Sequence, residues 1–145
     1  MKLQSTFMVA AGAVVLGVFT LSAQETKSQW DGIYTADQAK RGQAVYGEKC
    51  AYCHAKNLVG YIDPDNPAPS LAGDNFAANW DKQPLSNIYD KIAKSMPQDQ
   101  PGSLTPEENA DVIAFMLSYG KYPAGTTDLP SKSEQLKAFK FLAKK

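Results

Sequence analysis

Cys50-Ala51-Tyr52-Cys53-His54 is the stretch on which the reading of this chain turns. Its cysteines are the only two in 145 residues, and its histidine is the only one. Two thiols three positions apart, near the end of a helix, reach two carbons of one porphyrin, and the adjacent imidazole then meets the iron from one side. C-x-x-C-H in this form reads as the attachment site of a c-type haem, with Cys50 and Cys53 as thioether anchors and His54 as an iron ligand. Other readings of the same residues lack parts. A thioredoxin-like C-x-x-C needs a strand before it and a βαβ pattern around it, whereas helix-forming residues lead in here and strand signals are scarce. A structural zinc site needs four ligands, and only three residues of the preferred types are present.

Because His54 is the only imidazole, the opposite face of the iron takes a methionine, a weak ligand or nothing. The chain has four methionines. Met1 and Met8 fall in an apolar leader, and Met116 sits within the apolar side of an expected helix, where methionine commonly fills a core. Met96 lies in a loop with its backbone restricted by Pro97, so Met96 is the expected second ligand. The alternative leaves Met96 as an ordinary apolar side chain over an open iron.

Helix and loop signals extend outward from this centre. Thr35-Ala36-Asp37-Gln38 has the form of a capping box, and a helix is expected from about Ala36 to Lys49, delivering the chain to Cys50. From Asn57 to Gln83 the density of Pro64, Pro67, Pro69, Gly60 and Gly73 predicts a wrapping loop without a long helix. Leu85, Ile88, Tyr89 and Ile92 recur at helical spacing after Pro84, and Pro97 ends that helix. Thr105-Pro106-Glu107-Glu108 opens another, with Val112, Ile113, Met116 and Leu117 on its apolar side and Gly120 at its end. Ser131-Lys132-Ser133-Glu134 introduces a last short helix expected over Leu136 to Leu142. The expectation is an all-α fold of three to five helices with long loops wrapped on one bound group.

Near the start, Lys2, the apolar run Phe7 to Leu21 and the small residues before Gln24 read as a secretory signal peptide, residues 1–23. A retained anchor is the alternative, but the run falls short of the roughly twenty apolar residues that span a bilayer. Residues 24–34 then form an N-terminal extension, 35–121 the main domain and 122–145 a C-terminal extension. Fifteen Lys and Arg balance fifteen Asp and Glu. No basic excess points to nucleic acid.

The ordered motifs resemble class I cytochromes c from about Trp30 to Leu129. Trp30-Asp31-Gly32-Ile33-Tyr34-Thr35 followed by Gln38-Ala39-Lys40-Arg41-Gly42 is similar to the opening of cytochrome subunits associated with quinoprotein alcohol and sugar dehydrogenases. Pro69-Ser70-Leu71-Ala72-Gly73, Trp80, Ser95-Met96-Pro97, Pro101-Gly102-Ser103-Leu104 and Ala110 to Phe115 continue the pattern. The resemblance implies the class I cytochrome c fold around one covalent haem c, with Gly42 admitting the helix of Val112 to Leu117 and Tyr46 packed on Phe115. It implies that the Pro69 carbonyl accepts from His54 Nδ1 and that the Trp80 indole donates to a haem propionate. Phe115 stands where relatives carry Tyr, which removes a hydroxyl but not the packing. Trp30 and Tyr34 are expected to cover the haem or to touch a partner.

The function so implied is that of a periplasmic monohaem electron carrier rather than an enzyme, exported and without a membrane span once the leader is removed. A dehydrogenase, of quinoprotein type, is the implied donor; a downstream cytochrome or terminal oxidase is the implied acceptor. A haem protein that binds or senses a small gas, with no methionine ligand, is the alternative. A peroxidase-like enzyme is disfavoured by the lack of a second histidine. Lys82, Lys91 and Lys94 flank the helix before Met96, and Lys91 and Lys94 share a face that makes a candidate docking patch.

Overall fold

A computed structural model describes residues 26–61 and 67–145. The leader assigned to residues 1–23, with its cleavage site, lies outside the described residues, as does Pro64. The helices are α1 (Ala36–Lys49), α2 (Ala51–His54), α3 (Gly73–Trp80), α4 (Leu85–Ser95), α5 (Pro106–Tyr119) and α6 (Ser133–Leu136). Before them come strand β1 (Lys27–Ser28) and a 3-10 turn (Gln29–Asp31); after them comes strand β2 (Phe139–Lys140). Four helices have eight residues or more, and α2 and α6 are single turns. Among the described residues no helix is long and apolar enough to cross a membrane.

Helices α1 and α5 cross at Gly42, and the reason is steric. A Cβ on Gly42 would stand 1.8 Å from the Asp111 carbonyl oxygen, so only hydrogen at this position admits the α5 backbone. Beside the crossing, Tyr46 and Phe115 pack with ring centroids 5.1 Å apart. Helix α5 begins as its sequence dictates: Thr105 accepts from the Glu108 N–H while the Glu108 carboxylate accepts from the Thr105 N–H, with Pro106 in the first turn. Val112, Ile113, Ala114 and Leu117 are buried there. Fully burying an aliphatic side chain of this kind stabilises by about 1.5–3 kcal/mol, so the crossing anchors the core. Helix α4 buries Leu85, Ile88, Tyr89 and Ile92 and stops at Ser95, with Met96 at its C-cap in extended backbone.

Four expectations are refined or corrected. The stretch read as a wrapping loop without a long helix is a loop that ends in one short helix, α3, which buries Phe76 between Gly73 and Trp80; the prolines lie N-terminal to it and leave eight residues clear. The last helix is one turn, Ser133–Leu136, after which the chain extends as β2 and pairs in parallel with β1, Phe139 opposite Lys27. The Thr35 capping box is half formed. Thr35 accepts from the Gln38 N–H, but the Gln38 side chain binds Leu129 instead of returning. Tyr34 is buried, its hydroxyl donating to the Tyr122 carbonyl, and Trp30 stands edge-on to Tyr122 with its indole N–H donating to the Leu142 carbonyl. Both aromatics fasten the C-terminal extension; Tyr34 is closed to a partner, while the Trp30 ring is only half-buried.

Residues 122–145 pack onto the helices as a strap. Leu129, Leu136 and Phe141 are buried, and the Phe141 backbone exchanges hydrogen bonds with Lys82 and Gln83 in the α3–α4 connection. Ala143 N–H donates to Asp81, and Arg41 on α1 bridges Asp111 of α5 and Asp128 of the strap.

Candidate haem-binding site

The attachment turn is built from backbone. Cys50 is the C-cap of α1, its N–H donating to the Tyr46 carbonyl, and its own carbonyl accepts from Cys53 N–H at 3.2 Å and His54 N–H at 2.9 Å. One helical turn therefore carries both thiols and the imidazole. Both cysteines are free and half-buried. Burial, with a smaller contribution from Cys53, pushes the Cys50 thiol up to about 11. The Cys50 thiol is thus held protonated, and both thiols are partly sheltered from water.

His54 is buried, and its Nδ1 lies 2.9 Å from the Pro69 carbonyl oxygen. A carbonyl can only accept, so Nδ1 carries the proton and Nε2 keeps its lone pair for a metal. Gly60 makes this contact reachable, a role the sequence reading missed. Its N–H donates to the His54 carbonyl, its φ is +73°, and a Cβ there would meet the Ala68 carbonyl oxygen at 2.2 Å. The loop 58–61 can lie against 68–71 only with glycine at that point; the Leu71 N–H and the Ser70 hydroxyl, which both donate to the Leu58 carbonyl, close the pair. A glycine in a proline-rich loop was the available signal, and it was read only as punctuation.

Tyr46 braces the turn from the other side. Its hydroxyl is 2.7 Å from the Ala55 carbonyl oxygen and 3.2 Å from that of His54. Burial raises the hydroxyl's pKa, and the nearby ionisable groups of Cys50, Tyr119 and Tyr61 add to the rise. Tyr46 therefore stays a neutral donor.

The structure brings Cys50, Cys53, His54 and Pro69 together. Met96 belongs to a different element, half-buried at the end of α4 and packed against the hydrophobic core. Met116 is buried in α5 and lines a cavity of about 160 Å³ with Trp30, Leu71, Phe76 and Tyr122. Trp80 is half-buried at the end of α3, its ring 6.2 Å from Phe76, and it borders an open groove along α4 with Asn87, Lys91 and Ser95. The expected lysine pair in that groove is altered, because Lys94 is bound to Asp90 at 2.8 Å. Two free thiols in one turn and an imidazole with only Nε2 left to coordinate form a donor set that fits a covalently bound haem.

Comparisons with known proteins agree. The curated thiosulfate dehydrogenase of Thiomonas intermedia (strain K12) is 39% identical over 79 residues, which are 52% of this chain and 25% of that protein. The chain thus spans about a quarter of the length of that relative. The crystal structure of the sulfane dehydrogenase SoxCD from Paracoccus pantotrophus aligns with a TM-score of 0.51 at 20% identity, covering 94% of this chain and 68% of that one; this likeness concerns the fold. The sequence profile described as cytochrome C oxidase, cbb3-type, subunit III matches residues 37–116, from the first turn of α1 to Met116 and across the whole attachment turn. With its class I cytochrome c fold and one covalent haem c, this chain belongs to that family of electron-transferring c-type cytochromes.

Proposed function

We propose that the protein is a periplasmic monohaem electron carrier that takes electrons from a dehydrogenase and passes them to a downstream cytochrome or terminal oxidase, with no substrate chemistry of its own. The observation that carries the reading is the pairing of His54 Nδ1 with the Pro69 carbonyl oxygen at 2.9 Å, next to two free thiols in the same turn. In this reading Cys50 and Cys53 would form the thioether bonds to the haem, and His54 and Met96 would ligate its iron. The haem iron supplies the one-electron couple. The Pro69 carbonyl fixes the ring plane of His54 and makes Nε2 a stronger donor. Tyr46, Phe115 and the aliphatic face of α5 keep water from the turn, and the Trp80 indole N–H would be a donor for a haem propionate. A soft sulfur at Met96 favours the ferrous state and raises the potential.

The donor class rests on two supports of different kind. The motif resemblance points to quinoprotein dehydrogenases, and the name of the 39% identical relative points to a dehydrogenase of a reduced sulfur compound. The leader read at residues 1–23 supports export to the periplasm. Expression with the leader in a host that matures c-type cytochromes tests the reading directly. Denatured protein should retain haem on a gel, Cys50→Ala with Cys53→Ala should retain none, and the ferric form should show the far-red thioether-to-iron band. A wild type with that band absent, and with carbon monoxide bound readily to the ferrous form, would establish the gas-binding alternative instead.

A further inference from the structure

We propose that the C-terminal strap positions Trp80: Phe141 and Ala143 fix the end of α3 and the turn that follows it, and through that turn they tune the reduction potential of the bound haem. This rests on the reading above, in which the Trp80 indole is a donor for a haem propionate, and it assigns the residues that hold that donor in place.

Trp80 is the last residue of α3, and a tight turn follows it. Asp81 has φ −53° and ψ 132°, Lys82 has φ +62°, and the Gln83 N–H donates to the Trp80 carbonyl at 3.0 Å. The Asp81 angles and the positive φ of Lys82 are those of a type II turn, whose third residue is ordinarily glycine or asparagine. Lysine has no such tolerance for a left-handed backbone, so residues 80–83 do not specify this turn by themselves. The strap supplies what they lack. Phe141 accepts from the Lys82 N–H at 2.7 Å and donates to the Gln83 carbonyl at 2.8 Å, and the Ala143 N–H donates to the Asp81 carboxylate at 2.9 Å.

The Phe141 side chain bears on the same end of α3. Its ring, 1% exposed, stands edge-on to Phe76 at 5.7 Å. Phe76 lies one helical turn before Trp80, with 6.2 Å between their ring centroids. The strap is itself held from behind. Gln29 accepts from the Leu142 N–H at 2.9 Å, the Trp30 indole donates to the Leu142 carbonyl at 3.1 Å, and Tyr122 packs edge-on to Phe141 at 5.7 Å. Leu129 and Leu136 cover the helices elsewhere along the strap; the bonds at 81–83 act on the turn that carries Trp80.

The consequence for the haem follows from charge. A hydrogen bond to a carboxylate favours its ionised form and shares its negative charge. A propionate left without its donor keeps that charge unshared, and negative charge near the iron favours the ferric state. Loosening the turn should therefore lower the potential wherever the propionate is ionised. It should also raise the propionate's pKa, so that the pH-dependent step in the potential moves to higher pH.

Redox titration of the full-length haem-loaded protein across pH tests this. Trp80→Phe sets the scale, with a lower potential above the step and the step moved upward. Phe141→Leu should shift both in the same direction and by less, with the far-red ferric band retained. Asp81→Ala and Asp81→Asn remove the same charge, but only asparagine keeps an acceptor for Ala143, so Asp81→Ala should have the lower potential of the two. Gln38→Ala, which frees the strap at Leu129 alone, should lower stability and leave the potential and its step in place. Potentials equal to the wild type in Phe141→Leu and equal to each other in the Asp81 pair, beside a shifted Trp80→Phe, would overturn the positioning role and leave the Trp80 reading intact. An equal shift in Gln38→Ala would overturn it too, since general loosening would then explain the effect. So would loss of the far-red band in Phe141→Leu, because the strap would then act on Met96 through α4. An unshifted Trp80→Phe would remove the propionate donor, and the positioning role with it. A wild type without covalent haem would instead overturn the carrier reading on which both stand.

Discussion

The side-chain amide of Gln38 makes both hydrogen bonds of a ladder pair with the backbone of Leu129: its Nε2 donates to the Leu129 carbonyl at 3.0 Å, and its Oε1 accepts from the Leu129 N–H at 2.7 Å. Gln29 does the same for Leu142. Both glutamines are buried. Each thus stands in for a neighbouring strand, satisfying backbone groups of the strap that lie outside the short β1–β2 pair. The N-terminal extension and the strap are in this way parts of the same packed unit as the helices.

Gln38→Ala should destabilise the protein by about 1–3 kcal/mol, since it strands one buried donor and one buried acceptor of Leu129. Hydrogen exchange locates the effect. The Leu129 amide should lose most of its protection while Val112, in the α1–α5 crossing, keeps its own relative to the global stability. Equal loss at both would mean that the strap and the helices open as one cooperative unit.

Gly42→Ala tests the helix crossing. The added methyl would overlap the Asp111 carbonyl, a backbone atom that cannot swing aside, so α1 and α5 must separate. A loss of about 3 kcal/mol or more is expected, at the upper end of overpacking effects. Thermal unfolding of the haem-loaded variant measures it. Gly47 is the control, because a Cβ there meets nothing within 4 Å, and Gly47→Ala on the same helix should be neutral or stabilising.

The contrast between α5 and α3 shows how far the sequence could be read. The start of α5 is written in three residues within four positions, Thr105, Pro106 and Glu108, whose side chains and ring act on their own backbone. Local chemistry of that kind is visible without the fold. Helix α3 has no side-chain cap, and what holds Phe76 inside is Phe141, edge-on at 5.7 Å from the far end of the chain. A helix fixed by a partner sixty-five residues away leaves little local signal. The same distinction runs through the site. Cys50, Cys53 and His54 are legible because the motif is contiguous, whereas Gly60 matters only because residues 68 and 69 fold back on it. The glutamines at 29 and 38 were unreadable for the same reason: their acceptors and donors lie in the strap.

Acid should loosen the strap before it unfolds the helices. The Asp128 carboxyl is held below its ordinary pKa first by the Thr35 hydroxyl and then by Arg41, and Asp31 is held below by the Ser28 N–H and hydroxyl. A depressed folded pKa stabilises above the unfolded value and is lost as pH falls through the folded one. The contribution should be intact above about pH 4 and fade below it. Asp128 is half exposed, so its share should not exceed about 1 kcal/mol. Tryptophan fluorescence checks this, because Trp30 is held by Leu142 and Tyr122 of the strap. Asp128→Asn should reduce the pH dependence of that signal, and an unchanged profile would assign it to other carboxylates.

The two candidate sulfurs can be told apart by their surroundings. Met116 is buried on α5 among Leu71, Phe76 and Trp30, where its flexible chain fills a gap beside a cavity of about 160 Å³. Met96 sits past the last turn of α4, in extended backbone, and is only half-buried. If Met96 is the ligand, Met96→Ala should abolish the far-red ferric band, lower the reduction potential and admit cyanide or carbon monoxide. Met116→Leu should keep the band and cost at most about 1.5 kcal/mol, the scale of volume-conserving core exchanges. Met96→His separates ligation from packing: a second imidazole should remove the thioether band, keep the iron low-spin and lower the potential, because nitrogen favours the ferric state more than sulfur does. Reversed outcomes for Met96→Ala and Met116→Leu would move the ligand to α5 and require the strap side of the molecule to face the iron.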